Sequence, residues 1–376
     1  MSEMLPKSSL PFDIERPTLL LDKGRCLRNI RRMAQKAADN GVDFRPHMKT
    51  HQSADIAAWF RDAGVRAITV SSVDMAVYFA NHGWDDITVA FPVNVREITK
   101  INVLAERIDL GFLVESPDVV SFLAKKLVSA AGAWIKIDVG SRRTGIPWRR
   151  SQEIVDLARA VDSAGPLCLR GVLTHAGHSY QAGSLSEIRD VHRECVGRMN
   201  EVRDALSAAG FWNLSVSVGD TPTTSVVDDF EGVDEMRPGA FVFYDLKQLS
   251  IGSCDEEQIA VALACPVVAK HKERSEIVLY GGAVHLSKDS LVTREGERIF
   301  GQAARIEDDG WGPLIEGAYV TSVSQEHGIL RFRSDLLEAI SIGDMVAVLP
   351  VHCCLTADAM KGYVTLDGDV LSMARI

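Results

Sequence analysis

The chain has 376 residues, 46% hydrophobic and 24% charged, with a formal net charge of −10. That length suits one large barrel plus a smaller domain, and the acidic balance argues against a nucleic-acid partner. The paired arginines at 142–143 and 149–150 are too few for a phosphate-backbone footprint. Seven cysteines with no CxxC spacing fit free thiols in a reducing compartment. No apolar run reaches membrane-spanning length, and the N-terminus lacks a charged start followed by an apolar core. A soluble, cytoplasmic protein acting on a small molecule is expected.

Residues 1–16 read as a flexible start. Residues 18–22 read as a strand and 25–40 as a helix. Strands and helices then alternate, with strand ends at Lys49, Ser72, Pro92, Ser116, Gly140, His175, Asp220 and about Ala240. Eight such strands are the count of a closed parallel (β/α)8 barrel. Residues 67–70 and 87–91 are near-continuous apolar runs, as strands buried on both faces should be. After about Gln248 the pattern changes. Strand-like pieces at 259–269, 276–280, 317–323 and 345–350 follow without long helices, punctuated by Asp-Gly and Gly-Asp turns. They predict an antiparallel β domain. The expected organisation is an N-terminal segment over 1–22 whose strand joins the β domain, a barrel over 23–250, and the β domain over 251–376.

In a parallel barrel the chemistry gathers at the carboxyl ends of the strands. There lie Lys49 and His51, Arg143, His175, His178 and Tyr180, then Gly219-Asp220-Thr221, then Arg237-Pro238-Gly239-Ala240. A lysine amine in such a mouth can form a Schiff base with an aldehyde cofactor. Two neighbouring glycine-rich strand ends with hydroxyls suit a phosphate. Each feature alone is ordinary: many strand-end lysines are surface residues, and Gly-Asp and Pro-Gly are common turn pairs.

Five motifs carry a resemblance that runs from about residue 16 to the C-terminus. They are Arg45-Pro46-His47-Met48-Lys49-Thr50-His51, residues 138–145, Thr174-His175-Ala176-Gly177-His178-Ser179-Tyr180, Arg237-Pro238-Gly239 and Pro350-Val351-His352-Cys353-Cys354-Leu355-Thr356. The chain resembles the fold-type III, alanine racemase-like pyridoxal-phosphate (PLP) enzymes, in their D-serine dehydratase and D-threonine aldolase branch. The resemblance implies that Lys49 carries the cofactor, that His175 packs against its pyridine ring and that Arg143 lies near its phenolic oxygen. It further implies that Arg237 faces the pyridine nitrogen and that Gly219, Thr221, Gly239 and Ala240 bind the phosphate. Tyr180 is, on the same resemblance, a candidate cofactor contact.

His352 and Cys354 follow an apolar strand. Read as extended chain, residues two apart share a face, so these two point together and Cys353 points away. Imidazole and thiolate suit a borderline-soft ion such as Zn²⁺. An isolated His-x-Cys is more often a buried cysteine beside a chance histidine. The resemblance implies a divalent metal here, Zn²⁺ first, with Mn²⁺ or Mg²⁺ as alternatives. Dehydratases of this branch show cysteine as second ligand and aldolases aspartate, so Cys354 favours dehydration.

The expected activity is a PLP- and metal-dependent lyase acting on a β-hydroxy D-amino acid, giving keto acid and ammonia. The alternatives are an aldolase giving glycine and an aldehyde, with His51 or a metal-bound water as its base, an amino-acid racemase, and a non-catalytic PLP-binding protein. Lys49 and the metal motif fall in different expected domains, a separation this family usually meets by dimerisation. A homodimer is therefore expected. Residues 324–328, with His327, match a stretch seen in this branch. Gly281 and Gly282 suggest close backbone approach, and His285 has no assigned role.

Overall fold

The computed structural model describes residues 10–332 and 337–375, so residues 1–9 of the expected flexible start lie outside the described residues. The described residues divide into two compact units, residues 31–239 and residues 10–30 with 240–332 and 337–375. It opens with β1 (Thr18–Leu21) and α1 (Lys23–Asp39). No helix among the described residues is long and apolar enough to cross a membrane.

The first unit alternates β2 (Asp43–Phe44), α2 (Ala54–Asp62), β3 (Ile68–Val70), α3 (Val73–Asn81), β4 (Asp86–Pro92), α4 (Ile98–Ala105), β5 (Asp109–Val114), α5 (Pro117–Lys126) and β6 (Ala131–Asp138). It continues through β7 (Ile146–Pro147), α6 (Ser151–Asp162), β8 (Leu167–Leu173), α7 (Leu185–Ala208), β9 (Ser215–Val218), α8 (Thr221–Val226) and β10 (Glu235–Met236). Eight strands pair in parallel in the order β2-β10-β9-β8-β6-β5-β4-β3, with β7 appended to β6. The ends of that order meet through one bridge, His47 to Thr69. There the Thr69 amide donates to Pro46 O at 2.9 Å and its hydroxyl to Arg45 O at 2.9 Å.

The strands are apolar because both faces are covered: residues 131–137 of β6 are all buried. The helices start where the sequence supplies caps. Ser72 and Ser184 each accept from the backbone amide three residues on, and Ser116 precedes Pro117 at the first helical position. In α6, Ile154, Leu157, Ala158 and Val161 form the buried stripe at helical spacing.

A polar network crosses the barrel interior. Glu235 accepts from Arg45 Nε at 2.5 Å and from Ser217 Oγ at 2.5 Å. Arg45 also bonds Asp86 at 2.5 and 3.1 Å. Arg237 donates through Nε to Ser217 Oγ at 2.6 Å and through Nη2 to Thr174 O at 2.5 Å.

The second unit holds α9 (Leu246–Ser250), β11 (Val261–His271), β12 (Glu276–Tyr280), α10 (Ala283–Leu286), β13 (Leu291–Val292), β14 (Arg298–Ile299), β15 (Gly301–Glu307) and β16 (Gly310–Val323). After these come β17 (His327–Arg331), β18 (Met345–Pro350), α11 (Cys353–Met360), β19 (Gly362–Thr365) and β20 (Val370–Ser372). Antiparallel pairing runs β12-β17-β16-β15-β18-β11, and β11 also pairs with β12, which closes a six-stranded ring. β1 adds antiparallel to β11 and parallel to β19.

The division near 239–240 lies earlier than the expected 250. The segment after Gly239 joins the β unit because its buried side chains and backbone are used there. Phe241 and Phe243 are fully buried. Ala260 N donates to Phe243 O at 2.7 Å, and Asn29 Nδ2 reaches Val242 O at 3.3 Å. The strand expected at 317–323 is the end of the longer β16.

Removing Glu235 leaves Arg45 without one of its two carboxylates and Arg237 without its nearest carboxylate, both inside the barrel. Breaking a buried ion pair costs about 3–5 kcal/mol. Glu235→Ala should therefore lower the unfolding free energy by that amount, read from the urea midpoint. A loss below about 1 kcal/mol, the range of exposed pairs, would show the network to be dispensable.

Candidate active site

Lys49 lies in a short 3-10 turn, Met48–Thr50, rather than at the end of a long strand. The regular strand stops at Phe44, and the chain crosses the barrel top through His47 before turning. Lys49 is exposed. Its amide donates to His47 Nδ1 at 3.4 Å, so His47 caps the turn.

Lys49 stands among basic groups. Burial first, then the charges of Lys49, Arg237, His175 and Arg143, hold the His47 imidazole well below its usual range. His175 is depressed by burial and then by Lys49 and Arg143. Lys136, on β6, is lowered to about 7 by burial, with Arg237 and Arg143 adding to the effect. Arg143 bears on all three of these groups, Lys49 on both imidazoles and Arg237 on His47 and Lys136, so the cations Lys49, Arg143 and Arg237 gather with Lys136 around the two neutral imidazoles. Such a cluster suits an anion.

Each member is positioned by its strand end. His175 Nδ1 is hydrogen-bonded to Gly219 O, which only accepts, so the ring carries its proton on Nδ1. Its ring lies 6.2 Å from Tyr180, tilted 39°. The Tyr180 hydroxyl accepts from Thr221 N at 3.3 Å. Arg143 is exposed on a loop held at its start by Asp138, whose carboxylate accepts from Gly140 N at 2.9 Å and Arg142 N at 3.0 Å. Glu115 accepts from Gly145 N at 2.5 Å and closes that loop. Arg237 is buried, and burial lowers it to about 10. Its Nε and Nη2 are used inside the barrel, and Nη1 makes no hydrogen bond among the described residues.

The expected phosphate residues are close-packed. A Cβ on Gly219 would meet the Arg237 Cβ at 2.9 Å and its carbonyl at 3.0 Å. One on Gly239 would meet His47 O at 3.0 Å and Thr50 Oγ1 at 3.1 Å. Thr221 is fully buried, and its hydroxyl has no hydrogen-bond partner. Buried polar groups are seldom left unpaired, so this hydroxyl fits a bound group that the protein alone does not supply. The donors present therefore fit a phosphorylated aldehyde cofactor. Ala240 falls in the other unit, opening the turn Ala240–Val242.

His51 does not join the cluster, which corrects its expected role as base. The ring is fully buried, stacked on Phe60 at 5.5 Å, with Nε2 3.0 Å from Met48 Sδ and Nδ1 accepting from Ser53 N at 3.1 Å. Burial lowers it to about 3. The 3-10 turn reverses the alternation an extended chain would give. His47 and His175 are the imidazoles that sense Lys49 instead, with Lys136 beside His175. His47 could have been found from the same motif; Lys136 looked like one polar residue in an apolar strand.

The β unit holds the second cluster. His352 is the N-cap of α11, and Cys353 and Cys354 are its first residues, so the pair is not on an extended strand. Cys353 is fully buried and its amide donates to Asp245 at 3.0 Å, while Cys354 is partly exposed. His352 Nδ1 is 2.5 Å from Asp289 Oδ2. Burial would lower His352, but the bonds and charges of Cys354, Asp289 and Asp245 raise it to about 9. Among the described residues no group of three or more His, Cys, Asp and Glu is set to enclose an ion. Imidazole and thiol donors from one helix end fit a two-ligand open position for a soft or borderline divalent ion.

His285 serves locally: its Nδ1 accepts from Gly282 N at 3.2 Å. The backbone of residues 281–283 runs against residues 324–326, with bonds of 2.9 and 2.7 Å. His327 begins β17 and is exposed.

Residues 21–247 match the family described as the alanine racemase N-terminal domain, and residues 260–366 the putative serine dehydratase domain. The D-threo-3-hydroxyaspartate dehydratase of Delftia sp. (strain HT23) is 31% identical over 376 residues, covering 96% of this chain and 97% of that protein. Its solved structure superposes with a TM-score of 0.90 at 29% identity, covering 98% and 99% of the two chains. The D-serine dehydratase of Dictyostelium discoideum is 24% identical over 384 residues, covering 95% and 94%. The chain belongs to the alanine racemase-like, fold-type III PLP enzymes, in the branch that carries the serine dehydratase domain.

Replacing Thr221 by the isosteric valine removes an unpaired buried hydroxyl from the apoprotein. Thr221→Val should leave apoprotein stability unchanged or slightly raised in urea titration, and weaken PLP about tenfold, the worth of one hydrogen bond. Unchanged PLP affinity would take Thr221 out of the phosphate site.

Proposed function

We propose that this chain, a PLP-dependent lyase of D-amino acids, removes water from a β-hydroxy D-amino acid to give a keto acid and ammonia. The observation that carries the reading is Lys49: an exposed amine whose charge bears on His47 and His175, the first capping its turn and the second fixed by a hydrogen bond to Gly219 O. When bound, PLP supplies the aldehyde that takes the substrate amine and the ring that takes up electrons from Cα. Thr221 Oγ1 and the close-packed backbone at Gly219 and Gly239 hold the phosphate. Arg143 and His175 orient the ring, and Lys49 Nζ removes the α-proton. His47 and His175, both held neutral, do not compete with Lys49 for that proton.

His352 and Cys354 are the residues that would hold a divalent ion, which would supply Lewis acidity to the leaving β-hydroxyl. Support comes from relatives named as dehydratases, and from a cysteine-to-alanine variant of a D-threo-3-hydroxyaspartate dehydratase described in a metal-free form. The thiol at position 354, where aldolases of the branch show aspartate, favours dehydration over cleavage to glycine and an aldehyde.

Borohydride treatment of the holoenzyme should fix the cofactor on the peptide containing Lys49, and Lys49→Ala should abolish turnover. With D-serine the product should be pyruvate and ammonia. Chelation should stop keto-acid formation while the cofactor's visible absorbance survives, and Zn²⁺ should restore it. Glycine and acetaldehyde from D-threonine, without keto acid, would establish the aldolase reading in its place.

The working form proposed is a homodimer. Sedimentation velocity of the holoenzyme at assay concentration should give a species of twice the chain mass. A fully active monomer would contradict it.

A further inference from the structure

The geometry points to Asp289 as the positioning residue that fixes which nitrogen of His352 faces the metal. This rests on the reading of His352 and Cys354 as the ligand pair. The Asp289 carboxylate lies 2.5 Å from His352 Nδ1. A carboxylate accepts, so Nδ1 carries a proton and Nε2 is left as the lone-pair nitrogen of the neutral ring. A zinc ion on Nδ1 would sit about 2.0–2.1 Å from it, in the space Asp289 Oδ2 already fills. The ion therefore goes to Nε2, and Asp289 acts through the ring in the manner of a carboxylate–histidine–metal relay.

Asp245 also bears on His352 electrostatically, but its oxygens accept from Gln248 N at 2.9 Å and Cys353 N at 3.0 Å. Asp289 is the carboxylate hydrogen-bonded to Nδ1.

The placement of Asp289 is built in. Thr356 Oγ1 on α11 donates to Leu286 O at 3.1 Å, which ties the end of α10 to the helix carrying both ligands. Ser287 then takes a left-handed conformation, φ +73°, and its hydroxyl accepts from Asp289 N at 3.2 Å. Both ligands and the residue that anchors the Asp289 segment thus belong to one helix end. Asp289's side chain is 48% exposed, so its pairing adds little to fold stability and its variants should fold.

The test uses the holoenzyme and its D289N, D289A, H352A and C354A variants, with bound-cofactor absorbance as the check on folding. Zn²⁺ affinity is measured by competition with a chromophoric chelator, and the ligand set by the absorption spectrum of Co²⁺-loaded protein. D289A should bind Zn²⁺ about 10- to 100-fold more weakly. D289N should fall between it and wild type, because an amide oxygen still accepts from Nδ1. The Co²⁺ spectrum of D289A should match wild type, the ligands being unchanged. D289A that holds Zn²⁺ as tightly as wild type overturns the inference, as does a Co²⁺ spectrum reporting a lost ligand. If H352A and C354A also keep wild-type affinity, or wild type holds no metal, the ligand pair itself is wrong and the inference falls with it.

Discussion

The barrel depends on satisfying one buried guanidinium. Arg237 is fixed at the end of β10, where burial penalises its charge, and it is compensated from below rather than from solvent. Ser217 Oγ and Thr174 O accept its hydrogen bonds, Ser217 in turn donates to Glu235, and Glu235 also binds Arg45. Arg45 sits on the stretch that leads through His47 to Lys49. The order at the mouth is thus continuous with an ion network through the barrel. A cation left unpaired there would cost several kcal/mol, so the strand ends carrying Lys49, His175 and Arg237 are held in one arrangement.

That constraint explains why the glycines beside it are close-packed. Gly219 lies against the backbone of Arg237, and Gly239 against that of His47. Moving either strand end to admit a side chain would pull on the same network. The orphan hydroxyl of Thr221 stands next to this rigid edge. A rigid edge with an unpaired donor is a preorganised site: the ordering cost is met during folding, before any ligand arrives.

Much of this was legible in the sequence because it rests on periodicity. Apolar runs marked the eight parallel strands, and strand ends marked Lys49, Arg143, His175, Gly219, Thr221, Arg237 and Gly239. What was illegible depended on local backbone turns. The 3-10 turn at Met48–Thr50 puts His47 beside Lys49 and drives His51 into the core against Phe60. Residue spacing alone could not give that parity. The end of β18 likewise leads straight into α11, so His352 and Cys354 neighbour each other through a helix start instead of strand alternation. Asp289 lies 63 residues from His352 and meets it only through the packing of α10 on α11. The seam at 239–240 was hidden because Phe241 and Phe243 continue the apolar character of the barrel strands while being buried in the other unit.

The two clusters have opposite electrostatic character, and this follows from their scaffolds. In the barrel unit, cations converge from separate strand ends, and burial with mutual repulsion drives His47 and His175 toward the neutral form. An anionic group entering there relieves the repulsion. In the β unit, Cys354, Asp289 and Asp245 surround His352 and raise its proton affinity. A cation entering there replaces that proton as the counter-charge. One site is thus short of negative charge and the other short of positive charge. A phosphorylated cofactor would neutralise the first and, on the ligand pair proposed, a divalent ion the second, which would suit the proposed reaction, with its electron sink at Cα and its Lewis acid at the β-oxygen.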